Sequence, residues 1–444
     1  MSSIQEDAPL YQHPAELLQQ LIRYDTTNPP GNERQCIDYI NTLLQEAGFE
    51  TQVLGSDEQR PNVITRLKGR GEAPPLLLQG HVDVVTTANQ QWQHPPFEGQ
   101  RIDDYLWGRG TLDMKGGVAM MLAALMRAKA EGESLPGDII FTALSDEESG
   151  GGYGAKYLVE QHANLFKDVR YALGEVGGFT SYIDGKKFYS IQVLEKQVCW
   201  LKATVQGPGG HGSIPMHGGA VAKVGRILQL LDQHRLPVHI TPTVQTMLET
   251  MAHTLASSPT GPLLRQLLNP AHTNEVLDRL GSHTHFFDPI LHNTVNVTIL
   301  QGGHKINVIP SEIVVEMDGR LLPGFTPDDM FSELHELLGD DVQFELIRNG
   351  EGRTEPNMGF YGTLAEILHE ADPNGITVPI LMPAVTDGRF FSQLGIQTYG
   401  FLPMDLYEGF DFLSAIHTAD ERIPLAALDF GTNAIYEALR RNKE

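Results

Sequence analysis

The chain has 444 residues and a formal net charge of −24, enough length for two or three domains with buried cores and no basic face to neutralise a nucleic-acid backbone. Its two cysteines, Cys36 and Cys199, are too few for a disulfide framework. No apolar run approaches the roughly 18 residues that span a bilayer, and the opening MSSIQEDAPLYQ lacks a basic segment followed by an apolar core, so the expectation is a soluble cytoplasmic protein with no membrane or nucleic-acid partner.

Residues 14–24 and 33–47 carry apolar side chains at helical spacing, Leu17, Leu18, Leu21 and Ile22 in the first and Ile37, Ile40, Leu43 and Leu44 in the second. Gly48 suits the end of the second helix. Thr26-Thr27-Asn28-Pro29-Pro30-Gly31-Asn32 between them reads as a turn with an N-cap. Residues 62–66 and 75–79 are the first predicted strands. The apolar run 76–78 ends in Gly80 and then presents His81 and Asp83. In extended chain, residues two apart share a face, and a metal-bound His commonly gives its second ring nitrogen to a carboxylate that fixes the tautomer. His81 is thus a candidate ligand and Asp83 its orienting partner, although H-x-D alone is a weak signal. Residues 108–117, GRGTLDMKGG, set Asp113 in a glycine-rich loop before an apolar helix over 118–130, a suitable position for a carboxylate shared between cations.

A third apolar strand, 139–144, ends in Ser145-Asp146-Glu147-Glu148-Ser149-Gly150-Gly151, and a fourth, 171–173, ends in Gly174-Glu175-Val176-Gly177-Gly178. Three apolar strands in succession therefore deliver an acid or an imidazole at their carboxyl ends, where open α/β sheets gather their ligand sites. The competing reading of the acidic run is a solvated helix N-terminus, where acids suit the macrodipole. The Gly-Gly pairs after both acid sites weigh against it, because they let backbone approach a ligand closely.

Beyond Glu195 the pattern changes. Residues 200–205 alternate as a half-buried strand, 207–213 form a flexible turn containing His211, and 219–231 read as a helix. Strands over 294–300 and 312–322, a helix over 327–338 and a strand over 342–347 complete a βαββαβ-like order, which predicts a second, smaller α/β sandwich inserted into the first domain. Residues 241–292 read as added helices within that insert. The first pattern then resumes with a helix over 362–371, a strand and turn over 380–390, a buried strand over 398–402, His417 within the loop 413–423, and a final amphipathic helix. A lone His in such a loop is more often a cap or surface residue than a ligand.

Taken together, His81-x-Asp83, Asp113, Glu147-Glu148, Glu175 and the late His417 resemble the M20 family of co-catalytic metallopeptidases and amidohydrolases, the group of glutamate carboxypeptidase, aminoacylase, acetylornithine deacetylase and succinyl-diaminopimelate desuccinylase. The resemblance runs from the 26–31 turn to His417 and Glu421. It includes two lid-like signatures in the insert, Gly209-Gly210-His211-Gly212-Ser213 and the stretch 302–310 around Asn307. It implies an α/β catalytic domain of zinc-peptidase type, a mixed sheet flanked by helices, formed by residues 1–195 and 350–444, with an inserted α+β lid and dimerisation domain at 196–349. It further implies one metal on His81, Asp113 and Glu175 and a second on Asp113, Glu148 and His417, with Asp113 bridging, Glu147 as general base and Asp83 orienting His81. The cofactor implied is a pair of divalent ions, zinc first, with cobalt or manganese admissible to the same nitrogen and oxygen donors. Two dications against three ligand carboxylates leave a net positive site that favours hydroxide over water.

From the lid, His211 and Asn307 match residues that grip the carbonyl oxygen or the substrate's polar groups, and the His can come from a partner subunit, which implies a homodimer. Arg320 aligns with a position that binds a substrate carboxylate in some members, a partner suited to an Arg fork; Arg348 and Arg353 compete for the role. Residues 386–390, TDGRF, resemble the desuccinylase turn, but Pro383-Ala384-Val385 replaces its glycine-rich lead, so that enzyme's substrate contacts do not transfer. The 241–292 insert resembles the carboxypeptidase S-like branch. The implied activity is hydrolysis of an amide or peptide bond in a small carboxylate-bearing substrate, a short peptide or an N-acyl amino acid, with an N-acyl-amino-acid deacylase as the alternative. A binding protein that keeps the fold without the chemistry is the reading from another class, and it conflicts with every expected position being filled.

Overall fold

The computed structural model describes residues 9–339, 342–350 and 352–443; most of the opening segment read above for targeting signals lies outside them. The chain forms two compact units. Unit 1 takes the chain to Val193 and resumes over Pro356–Pro379 and Thr386–Glu444; unit 2 comprises Leu194–Glu355 and Ile380–Val385.

Unit 1 is built on a mixed sheet whose strands run in the order Thr51–Leu54, Asn62–Leu67, Ile139–Leu144, Leu76–His81, Tyr171–Gly174, Gln397–Gly400, Lys186–Glu195 and Ile376–Met382, with Thr180–Ile183 paired to Lys186–Glu195. The strands Ile139–Leu144, Leu76–His81, Tyr171–Gly174 and Gln397–Gly400 are mutually parallel. Leu76–His81 and Ile139–Leu144 are buried at every position, as expected of unbroken apolar runs in a parallel sheet covered on both faces. Their register pairs Leu76 with Ile139 and His81 with Leu144, so His81 and the acidic run after Leu144 emerge at the same edge. Tyr171–Gly174 runs the same way and delivers Glu175 there.

The helix Lys115–Ala130 buries every residue from Lys115 to Met126, which is the signature of an interior helix rather than an amphipathic one. It begins three residues before the predicted 118 because Lys115 is itself buried, its Nζ donating to the carbonyls of Leu21 (3.1 Å) and Tyr24 (2.7 Å). Those carbonyls lie in the last turn of the helix Pro14–Ile22 and just beyond it. Gly117 permits close packing there, since a Cβ would come within 2.6 Å of Leu402 Cδ2.

Unit 2 contains a four-stranded antiparallel sheet in the order Thr294–Gln301, Glu312–Leu321, Gln197–Gln206 and Gln343–Asn349. Burial alternates along Glu312–Leu321, and the inner face, with Leu201, Val315 and Met317, packs with Val224 and Ile227 of the helix Ala220–Gln233 and Leu334 of Pro327–Leu338. Residues 241–292 fold as the helices Pro242–Thr254, Thr260–Gln266, Thr273–Arg279 and Thr284–Leu291. Both cysteines are free and buried. Among the described residues no helix is long and apolar enough to cross a membrane.

Candidate metal centre

In unit 1 the strand ends and two loops bring five ionisable side chains together. His81 is buried at the end of its strand, with Nε2 3.2 Å from Asp113 Oδ1 and 3.3 Å from Glu175 Oε2. His417, held at a positive φ of 61°, comes from a loop 304 positions beyond Asp113 and sets its Nε2 3.1 Å from Asp113 Oδ2 and 3.3 Å from Glu148 Oε1. Donor atoms of His81, Asp113 and Glu175 all lie within 4.8 Å of one another, as do those of Asp113, Glu148 and His417. The two triads share Asp113, one carboxylate oxygen facing each.

Nδ1 of His81 meets the backbone carbonyl of Asp83 at 2.9 Å and its carboxylate Oδ1 at 3.4 Å. A proton on Nδ1 leaves Nε2 as the ligand atom, so the tautomer is set chiefly by a peptide oxygen. The Asp83 carboxylate has a second task that the H-x-D spacing did not suggest. It accepts the backbone N–H groups of Glu147 and Glu148, both at 3.1 Å, and Asn28 Nδ2 at 2.8 Å, and thereby fixes the turn carrying both acids. Behind it, Asn28 also donates to Asp146 Oδ1 at 3.1 Å, and Arg60 bridges Asp146 (2.9 Å) and Glu33 (2.7 Å). Sequence reading assigned no role to Arg60 or Glu33 and saw in Asn28 only a turn residue.

Charge crowding shifts these groups in ways that suit a cation. Burial, then the neighbouring Glu175 carboxylate, pushes Glu147 well above the ordinary acid range. Burial and Asp113 drive Glu148 up to about 7, despite its hydrogen bond from His417. Burial opposes the charged form of His81, but hydrogen bonds to Asp113, Asp83 and Glu175 outweigh it and hold the imidazole well above its usual value. Contacts with Asp113 and Glu148 raise His417 to about 10. Raised acids and raised imidazoles are what closely packed carboxylates produce when no cation offsets them. Glu148 Oε1 is buried, and its near neighbour among the donors is His417 Nε2 at 3.3 Å, two groups that a shared cation would satisfy together. The donor set, imidazole and carboxylate without thiolate, fits catalytic zinc, cobalt or manganese rather than a closed structural zinc site.

Beside the triads, Arg389 Nη1 lies 3.9 Å from Glu147 Oε1. Both oxygens of Asp387 and two nitrogens of Arg389 are buried without hydrogen-bond partners, and burial lifts Asp387 to about 8. The 386–390 turn had been noted only as a family likeness; nothing in its spacing marks these two residues as neighbours of Glu147.

The remaining candidates belong to unit 2. His211 pairs with Val308 in a short antiparallel ladder, is exposed, and has Nδ1 2.7 Å from Ser213 Oγ. Asn307, also exposed, accepts the Gly212 N–H at 2.9 Å through its backbone oxygen, so the two residues sit on adjoining turns. Arg320 already gives Nε and Nη2 to its neighbour Asp318, at 2.8 and 3.0 Å, and only Nη1 is buried without a partner. Arg348 stacks over Trp200 at 5.3 Å, and Arg353 Nε donates to the Glu355 carbonyl at 3.3 Å.

The chain is 29% identical over 387 residues to a probable carboxypeptidase S-like 2 of Dictyostelium discoideum, covering 82% of this chain and 71% of that one. It is 28% identical over 417 residues to aminoacylase-1B of Rattus norvegicus, covering 89% and 88%. Its fold is similar to that of an M20 family metallo-carboxypeptidase from Sulfolobus solfataricus, with a TM-score of 0.68, 16% identity, and coverage of 97% and 99%. Residues 77–441, which contain both donor triads, match Peptidase family M20/M25/M40, and the chain therefore belongs to that family of hydrolases.

Proposed function

We propose that the chain is a two-metal hydrolase that cleaves an amide or peptide bond in a small carboxylate-bearing substrate, of dipeptidase or carboxypeptidase type. One observation carries the reading: two donor triads share a single carboxylate, Asp113, and Glu147, buried beside Glu175, belongs to neither. His81, Asp113 and Glu175 would hold one ion, and Asp113, Glu148 and His417 the other. Divalent ions, zinc first with cobalt or manganese as alternatives, supply Lewis acidity toward the carbonyl and bring the pKa of water to about 7. Glu147 takes the proton of the attacking water and returns it to the leaving nitrogen; its buried setting beside Glu175 gives it the proton affinity this needs. By the family resemblance, His211 would stabilise the oxyanion, Asn307 would meet the substrate's polar groups, and Arg320 would receive the carboxylate. In this reading 1–195 and 350–444 form the catalytic domain, 196–349 the lid and dimer surface, and the working form is a cytoplasmic homodimer.

A second reading, an N-acyl-amino-acid deacylase, is favoured by the likeness to aminoacylase-1B across most of both chains. The test is a substrate panel. Metal-reconstituted chain is assayed against dipeptides and N-acyl amino acids, each as free acid and as carboxyl amide. Preference for free-acid dipeptides supports the first reading and preference for N-acyl amino acids the second. Equal turnover of acid and amide removes the carboxylate requirement from both.

A further inference from the structure

Arg109 and Glu421 form an ion pair of 2.6 Å with both side chains essentially out of solvent, 1% and 0% exposed. Neither side chain is a member of the donor triads. Isolated buried charges are costly to hold, so what the pair connects matters. The other carboxylate oxygen of Glu421, Oε1, accepts the backbone N–H groups of Leu112 at 2.8 Å and Asp113 at 3.3 Å. The Glu421 backbone oxygen also accepts the Gly108 N–H at 2.9 Å. Both ends of the loop that presents Asp113 are therefore tied to one residue. On the opposite side, Arg109 Nη2 donates to Gln90 Oε1 at 2.9 Å, and Gln90 Nε2 donates to the backbone oxygen of His417 at 2.8 Å. His417 sits at φ 61°, a left-handed conformation that a non-glycine residue holds only when its surroundings fix it.

We infer that Glu421, Arg109 and Gln90 form a positioning clamp that sets the separation between Asp113 and His417, Glu421 holding the shared carboxylate's loop and Gln90 holding the His417 backbone. This rests on the two-ion reading above. The clamp has two branches, and they act differently. Gln90 bonds His417 directly and reaches the Asp113 loop only through Arg109 and Glu421, so its loss falls on the ion held by Asp113, Glu148 and His417. Glu421 governs Asp113, which serves both ions. Partners of this kind change metal affinity by about 10- to 100-fold when removed, whereas residues that merely fill space affect melting without distinguishing between ions.

The experiment is a titration of chelator-stripped full-length chain with Co²⁺, followed by d–d absorbance and by metal content after equilibrium dialysis. Wild type, Gln90→Met, Glu421→Gln and His417→Ala are compared, with His417→Ala identifying the equivalent that depends on His417. Gln90→Met keeps side-chain bulk and is expected to weaken that equivalent alone by at least about tenfold, leaving the other at wild-type affinity. Glu421→Gln is expected to weaken both; should it fail to fold, Gln90→Met still decides the matter. Two wild-type equivalents with Gln90→Met unaltered, or with both equivalents weakened alike, overturn the clamp while leaving the two-ion reading intact. A wild-type chain that binds a single equivalent overturns the two-ion reading and the clamp with it, and a His417→Ala variant that keeps both at wild-type affinity removes His417 as a ligand and overturns the clamp alone.

Discussion

The two units treat polar groups in opposite ways. Unit 1 buries acids, imidazoles and guanidinium groups against one another, and Glu33, Arg60, Asp83, Arg109 and Glu421 are all nearly inaccessible. Unit 2 keeps its functional candidates His211 and Asn307 on exposed turns, and the layer between its sheet and helices is apolar. Buried polar networks are strong only when every member is satisfied. Unit 1 therefore has geometry that a single substitution can disturb, while the turns of unit 2 can be altered without disturbing their own fold. The contrast separates chemistry from stability, and it can be broken from either side.

The largest effect is expected at Glu147. It lies in neither donor triad, so Glu147→Gln should retain both ions by metal analysis while kcat falls by about 10²- to 10⁴-fold, the usual worth of a general base. An unchanged kcat removes Glu147 from its role and leaves the crowded acids of unit 1 without a catalytic reason.

Next comes His211. Its exposure predicts that His211→Ala shifts unfolding free energy by no more than about 0.5 kcal/mol, while loss of an oxyanion partner lowers turnover by roughly 10²- to 10³-fold. A drop in melting temperature with turnover preserved would reverse the contrast between the units. Mixing His211→Ala with Glu147→Gln sharpens it further: recovered activity after verified subunit exchange assigns His211 to a partner's site, and no recovery confines it to its own chain.

Metal removal ranks third. An ion at 100 times its dissociation constant adds about 2.7 kcal/mol to the state that binds it. Hydrogen exchange with and without chelator should show lost protection over residues 108–114 and 415–421 and none in the strands Gln197–Gln206 and Glu312–Leu321. Equal deprotection of both units means that the ions stabilise more than their own loops.

How far the sequence revealed this depends on whether the governing interaction is local. His81, Asp113, Glu147, Glu148 and Glu175 follow apolar runs or sit among glycines, a pattern visible within ten residues. His417 carries no such mark, and only its place in an ordered set distinguished it from the other histidines. The residues that hold the cluster in place were not legible, because Arg109 meets Glu421 across 312 positions and Asn28 meets Asp146 across 118, and one buried charge has no periodicity. Secondary structure divided in the same way. The hairpin joining Thr180–Ile183 to Lys186–Glu195 turns through Asp184 and Gly185 at φ 48° and 73°, and its Asp-Gly was an available signal. The hairpin of Gln100–Ile102 with Tyr105–Trp107 turns through Asp103 and Asp104, also at positive φ. That pair is a weaker turn former, and the third strand, Arg422–Pro424, arrives from the far end of the chain.

The smallest expected effect tests the quiet unit. Lys196 is one of several polar side chains buried in unit 2, with His292, Asn293 and Glu333, and is fully inaccessible, its Nζ donating to the carbonyls of Pro289 and His292, each at 2.9 Å, and to Thr294 Oγ1 at 2.8 Å. It ties the end of the added helices to the first residue of the strand Thr294–Gln301. Lys196→Met leaves those oxygens buried without their donor and should destabilise unit 2 by about 1–3 kcal/mol, with kcat changing far less than in Glu147→Gln. The pH dependence gives an independent check. Burial, helped by the Arg320 charge, lowers the Lys196 ammonium from 10.5 to about 7, so between those values the unfolded chain binds a proton that the folded chain does not. Stability from this group is therefore fully present above pH 10.5 and declines as pH falls toward 7. Exchange rates in Thr294–Gln301, corrected for intrinsic chemistry, should report greater opening free energy at pH 9 than at pH 7 in wild type, and Lys196→Met should remove that difference. A slope that persists in the variant assigns the pH dependence to other groups of unit 2, and a flat wild-type profile between pH 7 and 9 means that Lys196 stays charged in the fold, its three acceptors matching three ammonium hydrogens closely enough to outweigh burial.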